Sequence, residues 1–434
     1  MREWLQAFCS KTFQESDVGL YDVMNASISG MAAQSNFLST VADNIANSDT
    51  YGYKRAITAF ETLVNQSGVG VYTAGGVMTR TIYGVGQQGI LQGTASVTDL
   101  AIQGNGFFVV TDRGGASYLT RAGSFVPDAN GNLVNTAGYY LMGVDLLNGA
   151  SNFIANSMAG LSVVKIDESA VNWAPTRTGE LFVNLKAGEA AVTGDTPASN
   201  TANSTYTNKT SLLTFDNLGG EVMLDVYMTK TADNTWEVAV FEKSKAGPNG
   251  GFPYSSGPMT TTTLTFNPAD GKLTPASPTS LSIAIPNGQT LTLDMSKTTQ
   301  LASDYAINSA VVDGSPPSKL SRVQIGTDGV VSYIFADGSK KDAFKIPLAD
   351  VPSESNLTPI SGNVFALSNE SGPAHVGEAG LGGLGKINSG ALERSTADLA
   401  TELTNMISAQ RGYTANSKVF QTGADLLQVL VNLK

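Results

Sequence analysis

Apolar residues return every seven positions between Leu20 and Ile45. Met24, Met31, Leu38 and Ile45 form one row, with Ile28, Ser35 and Ala42 at the intervening four-residue step. That spacing predicts an amphipathic helix with a coiled-coil seam of about three heptads, weakest at Ser35 and Ala42, whose side chains are too small to fill a deep hole. A cleaner row lies at the other extreme of the chain: Leu392, Leu399, Met406, Tyr413, Phe420 and Leu427, supported by Leu403 and Ala424. It predicts a helix from near Gly390 almost to the C-terminus, about 38 residues or on the order of 57 Å at about 1.5 Å per residue. Two such stripes also suit ordinary amphipathic helices packed on a globular core. Their placement at opposite ends of the chain favours a thin helix pair standing off a different body. Each buried Leu or Met contributes only about 1.5 to 3 kcal/mol, against about 1 to 2 kcal/mol for each ordered backbone residue, so the pair would gain from neighbours.

Between the helices the 3.6-residue period disappears. Asn-Gly or Asp-Gly pairs stand at 105–106, 130–131, 148–149, 249–250, 270–271, 287–288, 313–314, 328–329 and 337–338, beside strand-like runs such as GFFVVTD, TTTLTF, LSIAI and VVSYIFADG. These predict β-hairpins with type I′ turns, in which both central residues take positive φ. From about 170 to 322, Thr, Ser, Asn and Pro dominate, as in GDTPASNTANSTYTNKT, which predicts an exposed domain inserted into another. The expected fold class is α+β. No repeat of fixed period is present, which disfavours solenoids and propellers.

Composition narrows the function classes. A chain of 434 residues exceeds what one core usually supports, so two or three domains are expected. The formal net charge of -11, with 26 scattered basic residues, disfavours nucleic acid and anionic membranes as partners. One cysteine, Cys9, and one histidine, His375, exclude disulfide frameworks and thiol metal cages. No apolar run reaches the roughly 18 to 20 residues needed to span a bilayer. Glu3, Gln6, Ser10 and Lys11 interrupt the opening segment, so a cleavable secretory signal is not expected.

Candidate chemistry is sparse. GLGGLGKI at 380–387 has the opening of a phosphate loop, but Ile387 stands where Ser or Thr would hold magnesium and NSG starts no helix, so a flexible connector is the expectation. DANGN at 128–132 lacks the spacing of a calcium loop and reads as a turn. His375 sits in a Gly-rich stretch as a loop residue, and Tyr413 of AQRGY falls on the helical row, where packing accounts for it. No catalytic, metal or cofactor site is assigned, and an enzyme is not expected.

The segment LYDVMNASISGMAAQSNFLSTVADNIANSDTYGYKR at 20–55 carries a further signal. It resembles the N-terminal signature of bacterial flagellar axial proteins, a helix leading into A-x-N-I-A-N-x-x-T-x-G-[FY]-K-R, matched by Ala42, Asn44, Ile45, Ala46, Asn47, Thr50, Gly52, Tyr53, Lys54 and Arg55. GNGFFVV, YLTRAGSFVPDANGNLVNTAGYYLMG, GLGKINSGALERS and LTNMISAQRGYTANSKVFQTGADLLQVLVNL follow in the same family's order. The length and the insert resemble the hook branch of this rod and hook family. Members begin near Leu20, so residues 1–19, Cys9 included, are extra by that comparison: either an upstream start or artefact, or, equally, a real extension. LERSTADLA at 392–400 departs from the family's usual pattern but keeps Ser395 and Asp398.

The resemblance implies a helical core domain with its connector at 20–90 and 386–434, a β-rich middle domain at 91–169 and 323–385, and an inserted β-rich outer domain at 170–322. It implies a structural subunit that polymerises with itself into a flexible curved tube, the terminal helices packing on the inner wall and the β domains outside. Residues 41–55 would be a connector whose polar groups satisfy turns and subunit contacts. Implied partners are the distal rod protein, the hook cap, the hook-filament junction proteins and the flagellar export apparatus, with location in the hook after export. The rivals are another axial component, such as a distal rod or hook-associated protein, and a secreted carbohydrate-binding protein.

Overall fold

The computed structural model describes residues 2–63, 75–147, 157–248 and 250–432, with side chains from residue 19 onward. The Asn148–Gly149 pair, Asn249 and the side chain of Cys9 lie outside the described residues. The chain forms two compact units, one of residues 1–168, 322–334 and 340–434, the other of residues 169–321 and 335–339.

In the first unit, helix α1 spans Arg2–Ala46 and helix α2 spans Leu399–Asn432. They run antiparallel with glycines at the crossing: a Cβ on Gly423 would meet Met24, one on Gly30 would meet Asn416, and one on Gly412 would meet Gln34. Such close approach selects small residues. The most buried row of α1 is therefore Ser27, Gly30, Ala33, Thr40, Val41 and Asn44. It faces α2 and the hairpin Ala56–Thr62/Val77–Tyr83, where Thr40 bonds Thr58 and Phe37 meets Phe60 edge to face.

The expected C-terminal helix is shorter than its periodicity suggests, 34 residues rather than about 38. Leu392 is buried, but in the strand Ala391–Glu393, which pairs with Leu91–Gly93. Gly390 turns the chain at φ 71°. Asp398 then caps the helix, its Oδ1 accepting the backbone N–H of Thr401 at 2.8 Å and its hydroxyl at 2.7 Å.

The β body of this unit is organised around Phe107–Thr111, buried along its whole length and flanked by Ser117–Thr120, Tyr140–Asp145 and Pro347–Asp350. Its core includes Phe107, Val109, Leu119, Val351, Phe365 and Val376. The turns depart from the expected type I′. Of each described Asn-Gly or Asp-Gly pair, at most one member has positive φ, as with Gly131 at 82° and Asn287 at 53°. Several turns share another device. Asp112, Asp128, Asn135 and Asp216 each use Oδ1 to accept the N–H groups two and four residues on, before a glycine of positive φ closes the loop. Three-residue loops of this kind need a left-handed conformation only at the last position.

In the second unit, a meander of Asn208–Phe215, Glu221–Ala232, Thr235–Glu242 and Thr260–Thr265 shares a core with a mixed sheet built on Thr178–Lys186. Trp236, Val226, Leu181 and Ile283 lie in this core. A second cluster comprises Tyr227, Phe241 and Tyr254. Beside it, the fully buried Asp225 accepts bonds from Ser211 at 2.7 Å, Tyr254 at 2.7 Å and Lys209 at 2.8 Å. Burial would raise this carboxyl's pKa, but the three donors outweigh that and hold it below the usual carboxylate range. Its stabilising contribution is thus present above the unfolded pKa and lost as pH falls through the lower folded value. Asp225→Ala should lower stability by about 2 to 3 kcal/mol at pH 7 and by clearly less at pH 3, as read by calorimetric unfolding of the full chain.

Candidate functional site

The segment 41–55 and the residues before α2 form one buried joint. Asn44, 1% exposed, acts as a strand edge in miniature. Its Oδ1 accepts the Ala56 N–H at 2.8 Å and the Tyr53 hydroxyl at 3.2 Å, while its Nδ2 donates to the Ala56 carbonyl at 2.8 Å. A side-chain amide, with a donor and an acceptor side by side, meets both the N–H and the C=O of Ala56. Asn47 and Thr50 close the turn after α1, Thr50 Oγ1 donating to Asn47 Oδ1 at 3.1 Å. Ile45 is half-buried and Ala46 exposed.

Gly52 has φ 69°, and a Cβ there would lie 2.6 Å from the backbone nitrogen of Ala122. Its own N–H donates to the Glu393 carbonyl at 2.7 Å. Gly52→Ala should therefore destabilise the fold by about 1 to 3 kcal/mol, visible as a lower thermal midpoint, whereas Gly115→Ala, with open space around it, should show only the left-handed backbone's smaller effect.

Beyond Gly52 the chain carries charge inward. The Lys54 ammonium, 0% exposed, donates to Glu393 Oε1 at 2.6 Å and to the Gln87 carbonyl. The same oxygen accepts the Gly89 N–H at 2.7 Å. On the other side Arg121, 2% exposed, brings NH1 to 3.6 Å from Glu393 Oε2 and lies 5.1 Å from the centroid of Phe107. Burial pushes the pKa of Lys54 and of Arg121 down, with Glu393 opposing the shift in both. Burial also pushes Glu354 up, against the pull of Arg121 and Lys54, and raises Tyr53 to about 12. Arg55 extends the joint to α2, its side chain pairing with the buried Glu402 and its N–H donating to Thr396 Oγ1 at 2.9 Å.

The connector residues Asn44, Gly52, Lys54 and Arg55 are engaged within the chain. Glu393, Arg121 and Glu402 went unassigned in the sequence because nothing in their local spacing marks them. GLGGLGKI is also no flexible connector: Gly380, Leu384 and Gly385 donate to Gly385, Leu381 and Asn105 carbonyls, and Lys386–Ser389 is a strand paired with Leu100–Gln103. His375 opens an exposed strand end at His375–Glu378.

The expected helix residues divide by position. Met24, Met31, Leu38, Ile45, Met406, Phe420 and Leu427 are half-buried. Ile28, Leu399, Leu403 and Tyr413 remain open to solvent, at 43 to 48% exposure. Among the described residues no cluster of His, Cys, Asp and Glu could hold a metal ion, and no helix is long and apolar enough to cross a membrane.

Comparison with known proteins matches four family models in succession: flagella basal body rod protein at 24–54, flagellar hook protein FlgE/F/G D1 domain at 101–183, flagellar basal body protein FlaE D2 domain at 184–315, and flagellar basal body rod FlgEFG protein C-terminal at 388–433. The flagellar hook protein FlgE of Brucella suis biovar 1 is 46% identical over 417 residues, covering 96% of this chain and 100% of the relative. That of Salmonella typhimurium is 32% identical over 414 residues, covering 94% of this chain and 98% of the relative. Among solved structures, the flagellar hook protein FlgE2 of Helicobacter pylori shares the fold with a TM-score of 0.50 at 17% identity, over 70% of this chain and 100% of that one.

Proposed function

Because the chain belongs to the flagellar hook protein family, we propose that its copies associate through their terminal helices into the flexible, curved tube of the hook, which passes motor torque to the filament. The observation that carries this reading is the apolar surface the helix pair leaves uncovered. Tyr21, Ile28, Leu403, Ile407, Leu426 and Val429 are each between 47 and 58% exposed, more than a soluble monomer usually leaves along one element pair. Neighbouring copies would cover it.

In this reading the helices and joint, residues 20–90 and 386–434, form the inner layer. Residues 91–169 with 323–385 form a middle layer, and 170–322 the outer one. The joint transmits load between layers without relying on a hinge, while Thr- and Ser-rich outer surfaces slide over wet, polar contacts. The tube's ends would meet the distal rod protein, the hook cap and the hook-filament junction proteins. Delivery would be through the flagellar export apparatus without a cleavable signal peptide, and the role is structural rather than enzymatic. An epitope inserted after Gly257, where added atoms meet open space, should direct immunogold to the short curved segment between envelope and filament. Gold along the filament, or away from flagella, would contradict the reading.

A further inference from the structure

A groove of about 850 Å³ opens at the C-terminal end of α1. Asp43, Asp49, Tyr51 and Tyr83 line one side, and Ile360 and Asn363 the other. Two features give it negative potential. The carboxylate of Asp43 has no ion-pair partner among the described residues, and Asp49 has only a solvent-exposed Arg394 at 3.5 Å. The last turn of α1 carries no basic residue, so the roughly half negative charge of the helix C-terminus is uncompensated. Lys54, at the groove's base, is paired with Glu393, which Arg121 shares. Tyr51, 39% exposed, adds an aromatic face suited to a cation.

The complementary surface lies on α2. Between residues 19 and 432 the two helices hold only two basic residues, Arg411 and Lys418. Both are exposed, neither is ion-paired among the described residues, and both border a shallow depression with Ile407 and Thr414. Arg411, two residues or about 200° round the helix from the buried Ala409, lies on the far side, while Lys418, about 10 Å further along the axis, also borders Leu20 and Val23 of α1. Arg411 cannot serve the groove of its own chain. Gly412 lies opposite Gln34, which leaves Asp43 nine residues, or about 13 Å, further along α1, and Arg411 points outward.

The geometry points to a second copy of this chain as the occupant: its outward α2 stripe docks in the groove, Arg411 meeting Asp43 and Tyr51 while Ile407 covers the apolar lining. This rests on the self-association proposed above and names the surfaces that perform it. In a Cys9→Ser background, full chains carrying Asp43→Cys are mixed with chains carrying Arg411→Cys, polymerised and oxidised. A disulfide between the two variants, absent from either alone, is the expected result. Arg411→Glu should raise the critical concentration for polymerisation about tenfold, and Asp43→Arg in the same chain should recover most of the loss.

Polymers that form without the mixed disulfide, and at the wild-type concentration with Arg411→Glu, would overturn the docking while leaving self-association intact. A disulfide from Arg411→Cys to Asp22→Cys instead would move the stripe to the outer face of α1 and overturn the groove assignment. A wild-type chain that never polymerises would overturn both proposals.

Discussion

Glu393→Ala should destabilise the chain by about 3 to 5 kcal/mol, because it leaves two buried cations without their anion. Lys54 and Arg121 have side chains 0% and 2% exposed and cannot turn to water without dismantling the joint. The substitution also orphans the Gly89 N–H, which donates to the same carboxylate oxygen. The wild-type cluster's net worth is much smaller than that figure, since desolvation of three ions consumes most of their attraction. A double-mutant cycle separates the two. Lys54→Met combined with Glu393→Leu should cost clearly less than the sum of the single changes, with a coupling of at least about 2 kcal/mol. Chemical denaturation of the four proteins reads this directly, and additive losses would show that the buried pair is not coupled.

The second large effect concerns assembly rather than folding. Ile407→Asp together with Leu403→Asp places two carboxylates on the exposed face of α2, where the side chains are now 52% and 47% exposed. The isolated chain should keep its thermal midpoint within a few degrees, since surface changes of this kind are usually within about 0.5 kcal/mol each. Polymerisation should fail at a hundred times the wild-type critical concentration, because in the polymer each charge would be buried without a partner. Met406→Asp makes the contrast: Met406 is half-buried, so it should lose both polymer and monomer stability. Normal assembly by the outward pair would remove this face of α2 from the interface.

The same residues show what the sequence could disclose. Both terminal helices and the β character of the middle are legible because periodicity records which elements must bury a face. The start of the C-terminal helix was not, since Leu392 continues the heptad row although it lies in a strand, with Gly390 turning the chain before it and Asp398 capping the helix after it. On α1 the large apolar row suggested the buried face, whereas glycine-mediated approach put Ser27, Gly30 and Ala33 there. Hairpins were visible in the pairs at 130–131, 287–288 and 337–338, whereas those at 105–106 and 313–314 join strands that do not pair with each other, and the turn type was not visible: at 128–132 the Asp128 carboxylate selects it. The joint itself was half visible. The motif residues Asn44, Gly52 and Lys54 stood out by resemblance, but Glu393 lies 339 positions from Lys54, and no local pattern links them.

The most direct measurement of the central claim is a helical reconstruction by electron cryomicroscopy of polymers grown from the purified chain. The account predicts a hollow tube with α1 and α2 at the smallest radius, residues 170–322 at the largest, and the Lys54–Glu393–Arg121 joint intact between them. A polymer with the helices outermost, or one held together by the 170–322 region with free helices, would contradict it.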